Sequence, residues 1–226
     1  MVIYTKKGLY HKEKGEVSGD VIRCMDNGEY AIIVLADGAS SCSRGAEGAD
    51  RISSKAIEIV QNQYGYSYLL PDNWAEILIN NLVNYLHEIS VRQEIPFKEY
   101  SSTLMVILID RKRNLLHYCN IGDGLVIGIK DQKCPIICMP QGDGTGCPMI
   151  TTDGVKRIID AGNTNLDSIN SIFVCSDGTW RLMYEHSTMK PEIKEKLISG
   201  KYEEFWRIVK SSCSIDDCSF GVVDVR

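Results

Sequence analysis

Residues 31–41 read AIIVLADGASS. Six apolar residues, Ala31 to Ala36, run straight into Asp37 and Gly38. Neither alternating face of this run is polar, so it reads as a strand buried on both sides. Residues 171–180, SIFVCSDGTW, repeat the device: Ile172 to Cys175, a serine, then Asp177 and Gly178. Two buried strands each deliver an aspartate and a glycine to their carboxyl end. That repetition points to a site. Asp-Gly is also a common turn dipeptide, and Asp143-Gly144 and Asp153-Gly154 are read as turns of that kind.

Around these strands the periodicity changes along the chain. From Ala46 to Val60 the apolar residues Ala49, Ile52, Ala56 and Ile59 share one helical face, away from Glu47, Asp50, Lys55 and Glu58. Residues 62–73, NQYGYSYLLPDN, read as a loop, with Gly65, Pro71 and Asn73 as breakers. A second long helix follows, with Asp72 or Asn73 as its cap, and ends before Pro96. Its apolar face is Trp74, Ile77, Leu78, Leu82, Tyr85 and Ile89. Four short apolar runs come next: STLMVILID, NLLHYCNIG, LVIGIK and CPIICMP. They predict a meander of antiparallel strands. Beyond the glycine-rich QGDGTGCP, a short strand is expected near Val155 to Ile159, then the strand at 171–175. Helices are expected near 191–199 and 201–210, and a last strand in DDCSFGVVDV. Consecutive strands fit antiparallel sheets better than alternating strand–helix units, and two long helices suffice to cover a sheet face. The chain shows no repeat or linker, so residues 1–226 are read as one domain.

The 226 residues carry 25 basic against 30 acidic side chains, a net charge of −5. A duplex nucleic-acid partner, which favours a basic excess, is thereby disfavoured. The opening segment is polar after Ile3 and lacks the apolar core of a signal peptide. No apolar run is long enough to span a bilayer. A cytoplasmic, monomeric protein is expected, with no membrane partner. The nine cysteines are odd in number and form no CxxC pair. They read as reduced and structural rather than as a zinc site.

The acids beside glycine or at strand ends are Asp20 in VSGD, Asp37, Asp123 in IGDG, Asp177, and Asp216-Asp217 in IDDCS. Hard divalent cations such as Mg²⁺ and Mn²⁺ take oxygen ligands and need neither His nor Cys. Two such ions about 4 Å apart are a device for phosphoester hydrolysis. Spacing alone leaves a metal centre and a set of turns both open.

The ordered set SGD, VLADGASS, STLMVILID, CNIGDG, FVCSDGTW and DDCSFGVV resembles the metal-dependent protein phosphatases of the type 2C serine/threonine class, from about residue 8 to 226. SGD followed by ADG is similar to the bacterial branch of sporulation and stress-response phosphatases. The resemblance implies an α+β fold: a central β-sandwich of two antiparallel sheets flanked by helices on both sides. It also implies two Mn²⁺ or Mg²⁺ ions, and a third, weaker one. Asp37 would bridge the two ions and the Gly38 carbonyl would bind one. Asp177 and Asp217 would complete the other shell, Asp20 would act through water, and Asp123 would help hold the third. The implied activity is hydrolysis of phosphoserine and phosphothreonine monoesters through a metal-bridging hydroxide. The partners would be a phosphorylated protein substrate and an opposing kinase.

This chain departs from the family pattern in places. Gly19-Asp20 stands where many members have Glu-Asp. Ala39-Ser40 follow the first Asp-Gly, where many have a His proposed as general acid. No Arg precedes Asp20 to contact phosphate, leaving Lys12 or Lys14 as substitutes. Arg44 reads equally as part of a helix start or as a rim residue that reaches a phosphate. Asp216 either supports Asp217 or caps a loop. His11, His87, His117 and His186 are read as ordinary surface or core residues, with His11 closest to the expected cleft. Two other activities fit the same residues: a regulatory binding module that has lost catalysis, and a phosphomonoesterase of small molecules.

Overall fold

A computed structural model describes residues 1–67, 69–142 and 146–225. The chain begins with β1 (Val2–Lys6), α1 (Leu9–Lys14), β2 (Asp20–Asp26) and β3 (Tyr30–Asp37). Two long helices follow, α2 (Gly45–Ser67) and α3 (Trp74–Gln93). Then come β4 (Leu104–Asp110), β5 (Leu115–Ile121), β6 (Leu125–Ile129) and β7 (Ile136–Cys138). The remainder holds β8 (Asp160–Asn165), β9 (Ser171–Cys175), α4 (Asp177–Met183), the hairpin of β10 (Tyr184–Glu185) and β11 (Thr188–Met189), α5 (Pro191–Ile198), α6 (Tyr202–Ser211) and β12 (Cys218–Asp224).

The strands build two antiparallel five-stranded sheets, in the orders β2-β3-β4-β5-β8 and β1-β12-β9-β6-β7. The doubly apolar run at 31–36 follows from the layering. Ile32, Val34 and Ala36 pack against α2 and α3. Ala31, Ile33 and Leu35 face the second sheet across the sandwich. In β9, Ile172 and Val174 face that same interior, while Phe173 and Cys175 meet α5 and α6 through Ile193, Leu197, Phe205 and Val209. Each core strand is therefore covered on both sides, and the order of layers is helix, sheet, sheet, helix. This is the expected α+β sandwich.

Several local expectations change. The four apolar runs do not form one meander: β4 and β5 lie in one sheet, β6 and β7 in the other. The chain changes sheet at Gly122-Asp123-Gly124, where Gly122 has φ 132°. Helix α2 continues through Gly65 to Ser67, into the segment read as a loop. Tyr64, fully buried, still contributes to its apolar face, so one glycine near the end does not stop it. Asn73 precedes α3 without a side-chain capping bond. The strand expected at 155–159 is a 3₁₀ turn, Val155–Arg157, and the strand falls at β8 instead. Its sequence, DAGNTN, carries no apolar stripe because it is an edge strand held by backbone pairing to β5. Of the two Asp-Gly turns, Asp153-Gly154 lies in a turn with Gly154 at φ 72°. Asp143-Gly144 lies outside the described residues.

No described helix is long and apolar enough to cross a membrane. All nine cysteines are free thiols.

Candidate metal centre

Acids from both sheets meet at one end of the sandwich. Asp20 opens β2 directly opposite Asp37, the last residue of β3. Asp37 is pinned from the next strand: its N–H donates to Thr103 Oγ1 at 2.9 Å, and its carbonyl accepts from the Thr103 N–H at 2.8 Å. Asp123 sits in the crossing between sheets, and Trp180 Nε1 donates to its carbonyl at 2.7 Å. Asp177 is the first residue of α4, and Asp216-Asp217 immediately precede β12. Asp37, Gly38, Asp123, Asp177, Asp216 and Asp217 line a cleft of about 230 Å³, together with Tyr10, His11 and Cys147.

The glycines after the two core aspartates do something other than leave room for a ligand. A Cβ on Gly38 would stand 2.3 Å from the Gly45 carbonyl carbon at the start of α2. A Cβ on Gly178 would stand 2.1 Å from the Asp217 carbonyl oxygen. Neighbouring backbone occupies both places, so glycine is required for close packing behind the site.

The acids differ in what holds them. Asp20 is buried, and one of its oxygens accepts from Ser176 Oγ at 2.7 Å. Its other oxygen has no hydrogen-bond partner. Burial raises the Asp20 pKa to about 7 against that hydrogen bond, with the charges of Asp217 and Asp177 adding to the rise. Burial also raises Asp37 well above the ordinary range, helped by the neighbouring carboxylates. Asp177 is pushed up to about 6 by burial and then by Asp123. Asp123 is raised as well, chiefly by burial. Asp217 behaves oppositely. Burial pushes its pKa up, but the hydrogen bonds it accepts outweigh that, and it ends below the ordinary value. Its Oδ1 accepts from Gly8 N–H at 2.6 Å. Its Oδ2 accepts from Gly19 N–H at 2.6 Å and from Ser18 Oγ at 2.9 Å. His11 Nδ1 lies 2.9 Å from the same Oδ2 without an aligned N–H bond.

Asp216 and Asp217 both line the cleft, but Asp217 is buried with both oxygens tying residues 8–19 to β12, whereas Asp216 is half exposed. The family resemblance assigns the ligand role to Asp217 and leaves Asp216 open, because both sit on the same strand end and their side-chain directions are set by tertiary contacts. Arg181 was missed altogether. It lies one helical turn after Asp177, and its Nη1 is 3.0 Å from Asp177 Oδ2 and 3.1 Å from Asp216 Oδ2. The i, i+4 spacing from Asp177 was the available signal. The basic candidates fare differently. Lys12 and Lys14 do not line the cleft, and Lys14 stacks over the Tyr10 ring at 4.0 Å. Arg44 borders an adjoining cleft of about 700 Å³ and pairs with Glu47 at 3.4 Å.

The donor set fits hard divalent cations. It consists of carboxylates and carbonyls, several share one cleft, burial and then mutual repulsion raise their pKa, and a buried Asp20 oxygen is left unpartnered. Among the described residues no three His, Cys, Asp or Glu groups close around a single point.

A model of the protein phosphatase 2C family matches residues 7–204. The chain belongs to that family. Its fold is shared with solved phosphatases at low identity. A bacterial serine phosphatase superposes with a TM-score of 0.75 at 16% identity, covering 100% of this chain and 97% of that one. The serine/threonine phosphatase Stp1 from Staphylococcus aureus gives 0.74 at 16% identity, over 99% and 93%. RsbX, crystallised with magnesium, gives 0.63 at 15% identity, over 98% and 92%. No curated protein matches the chain. As a family member the protein is a phosphatase of the hydrolase class.

Proposed function

We propose that this protein phosphatase 2C member hydrolyses phosphoserine and phosphothreonine monoesters of a protein substrate, using two Mn²⁺ or Mg²⁺ ions. The observation that carries the reading is the convergence of Asp37 from one sheet with Asp177 and Asp216 from the other in a single cleft. Bound there, the ions would activate water for attack on phosphorus and offset charge on the phosphoryl oxygens. Asp37, Asp177, Asp216 and the Gly38 carbonyl would hold them. Asp20, with one oxygen free, would act from behind Asp37. Asp217 would position the β12 end and the 8–19 segment instead of ligating. Arg44, at the rim of the adjoining cleft, would meet the substrate beyond its phosphate. We take residues 1–226 as one domain acting as a cytoplasmic monomer against a Ser/Thr kinase.

Turnover of a phosphothreonine peptide tests this, with Mn²⁺ and with chelator, for the wild type and Asp177→Asn. Activity that requires Mn²⁺ and falls at least a hundredfold in the variant is expected. Folded, Mn²⁺-loaded protein that turns over no phosphopeptide would replace the hydrolase reading with a binding module. Turnover of small phosphomonoesters alone would move the substrate class.

A further inference from the structure

The contacts of Arg181 support an inference that rests on the metal-dependent reading but concerns a residue of the chain itself. Its guanidinium stands among three carboxylates: Asp177 Oδ2 at 3.0 Å and Asp216 Oδ2 at 3.1 Å from Nη1, and Asp123 Oδ2 at 4.0 Å from Nη2. The three arrive from separate segments, the start of α4, the turn before β12 and the crossing between β5 and β6. Oxygens of Asp177 and Asp216 meet one guanidinium nitrogen and that of Asp123 stands 4.0 Å from the other, where a hard divalent ion would otherwise draw oxygen ligands. A guanidinium keeps its charge at any working pH. Among the described residues lining the cleft none is Lys or Arg, so Arg181 at its edge brings the permanent positive charge to this corner.

The placement is built into the fold. Trp180, the preceding residue, donates its indole N–H to the Asp123 carbonyl at 2.7 Å, which locks α4 to the Asp123 turn. Asp177 and Arg181 are spaced i, i+4 on that helix. The helix therefore carries both the acid and its counter-charge, and holds them against Asp123.

We propose that Arg181 takes the place of a divalent ion at the corner formed by Asp123, Asp177 and Asp216, so that the protein binds one cation fewer than its carboxylates could hold. An ion entering that corner in addition to the two that Asp37 anchors would meet a fixed like charge 3.0–4.0 Å from the three carboxylates it would need. Asp123, which the family resemblance would give to a third ion, here faces the guanidinium at 4.0 Å.

Counting bound Mn²⁺ by equilibrium dialysis tests the assignment on the full chain, for wild type, Arg181→Gln and Arg181→Lys. The Arg181 side chain is 53% exposed, so neither variant removes core packing. Arg181→Gln should bind one Mn²⁺ more per chain than wild type, and Arg181→Lys, which keeps the charge, should match wild type. Equal counts in wild type and Arg181→Gln overturn the proposal, as does an added ion in Arg181→Lys. A wild type that binds no Mn²⁺ beside an Arg181→Gln that binds one would sink the metal-dependent reading and leave the role of Arg181 standing.

Discussion

Replacing Asp217 with alanine should unfold the protein more readily without emptying the metal centre. The carboxylate accepts three aligned hydrogen bonds, from Gly8 N–H, Gly19 N–H and Ser18 Oγ, and its side chain is 3% exposed. Both glycine N–H groups are buried, and alanine leaves them without an acceptor. Each such orphan costs about 1–3 kcal/mol, so a loss of about 4 kcal/mol in unfolding free energy is expected. For a chain of this size that lowers the melting temperature by about 8–16 °C. The pH dependence has a definite sign. The folded-state pKa of Asp217 lies below its ordinary value of 3.8. Its contribution is therefore present above that value and fades as the pH falls through the lower folded pKa. Urea titrations at pH 7 in chelator measure the loss, and Mn²⁺ counting on the folded variant measures the site. Asp216→Ala is the control: its half-exposed side chain should cost little stability and should lose Mn²⁺ affinity. An Asp217→Ala protein as stable as wild type but unable to bind Mn²⁺ would refute this division of labour.

Gly178→Ala should destabilise the protein by about 2 kcal/mol or more, read by thermal melting, because the new methyl would press on the Asp217 carbonyl; an unchanged melting temperature would show that α4 shifts freely. Thr103→Val removes the acceptor of the Asp37 N–H, and should cost about 1 kcal/mol in urea titrations and weaken Mn²⁺ binding by loosening Asp37. Arg111→Met breaks a bidentate pair with Asp26, at 2.7 and 2.9 Å. Solvent screening limits the loss to about 1 kcal/mol at pH 7. Because Arg111 holds the Asp26 pKa below 3.8, the gap between wild type and variant should close as the pH falls below that value.

Much of the sandwich could be read from the chain because burial leaves a plain trace. Ala31 to Ala36 are apolar on both faces because one face meets helices and the other a sheet. The same holds for Ile172 to Cys175. Elements held by backbone pairing alone left no such trace, and β8 was displaced from its expected position for that reason. The change of sheet at Asp123 was equally silent, since strands of either sheet look alike in composition. At the site, the positions of the acids were legible but their directions were not. Asp216 and Asp217 are adjacent and chemically identical, and only the N–H groups of distant glycines distinguish them. Arg181 went unread because its partners Asp123 and Asp216 lie 58 and 35 residues away.

The bonds that Asp217 makes to Gly8 and Gly19 span 209 and 198 residues of chain. Contacts of such sequence separation form late, because the loop they close must be ordered before they give anything back. The acidic cleft is therefore finished by the meeting of the first and last strands, β1 with β12. During synthesis β2 and β3 can pair long before β12 exists, yet Asp177 and Asp216 have no fixed place until it does. A chain whose synthesis has not yet reached β12 would have β2 and β3 paired, its second sheet split between β1 and β9, and no closed acidic cleft.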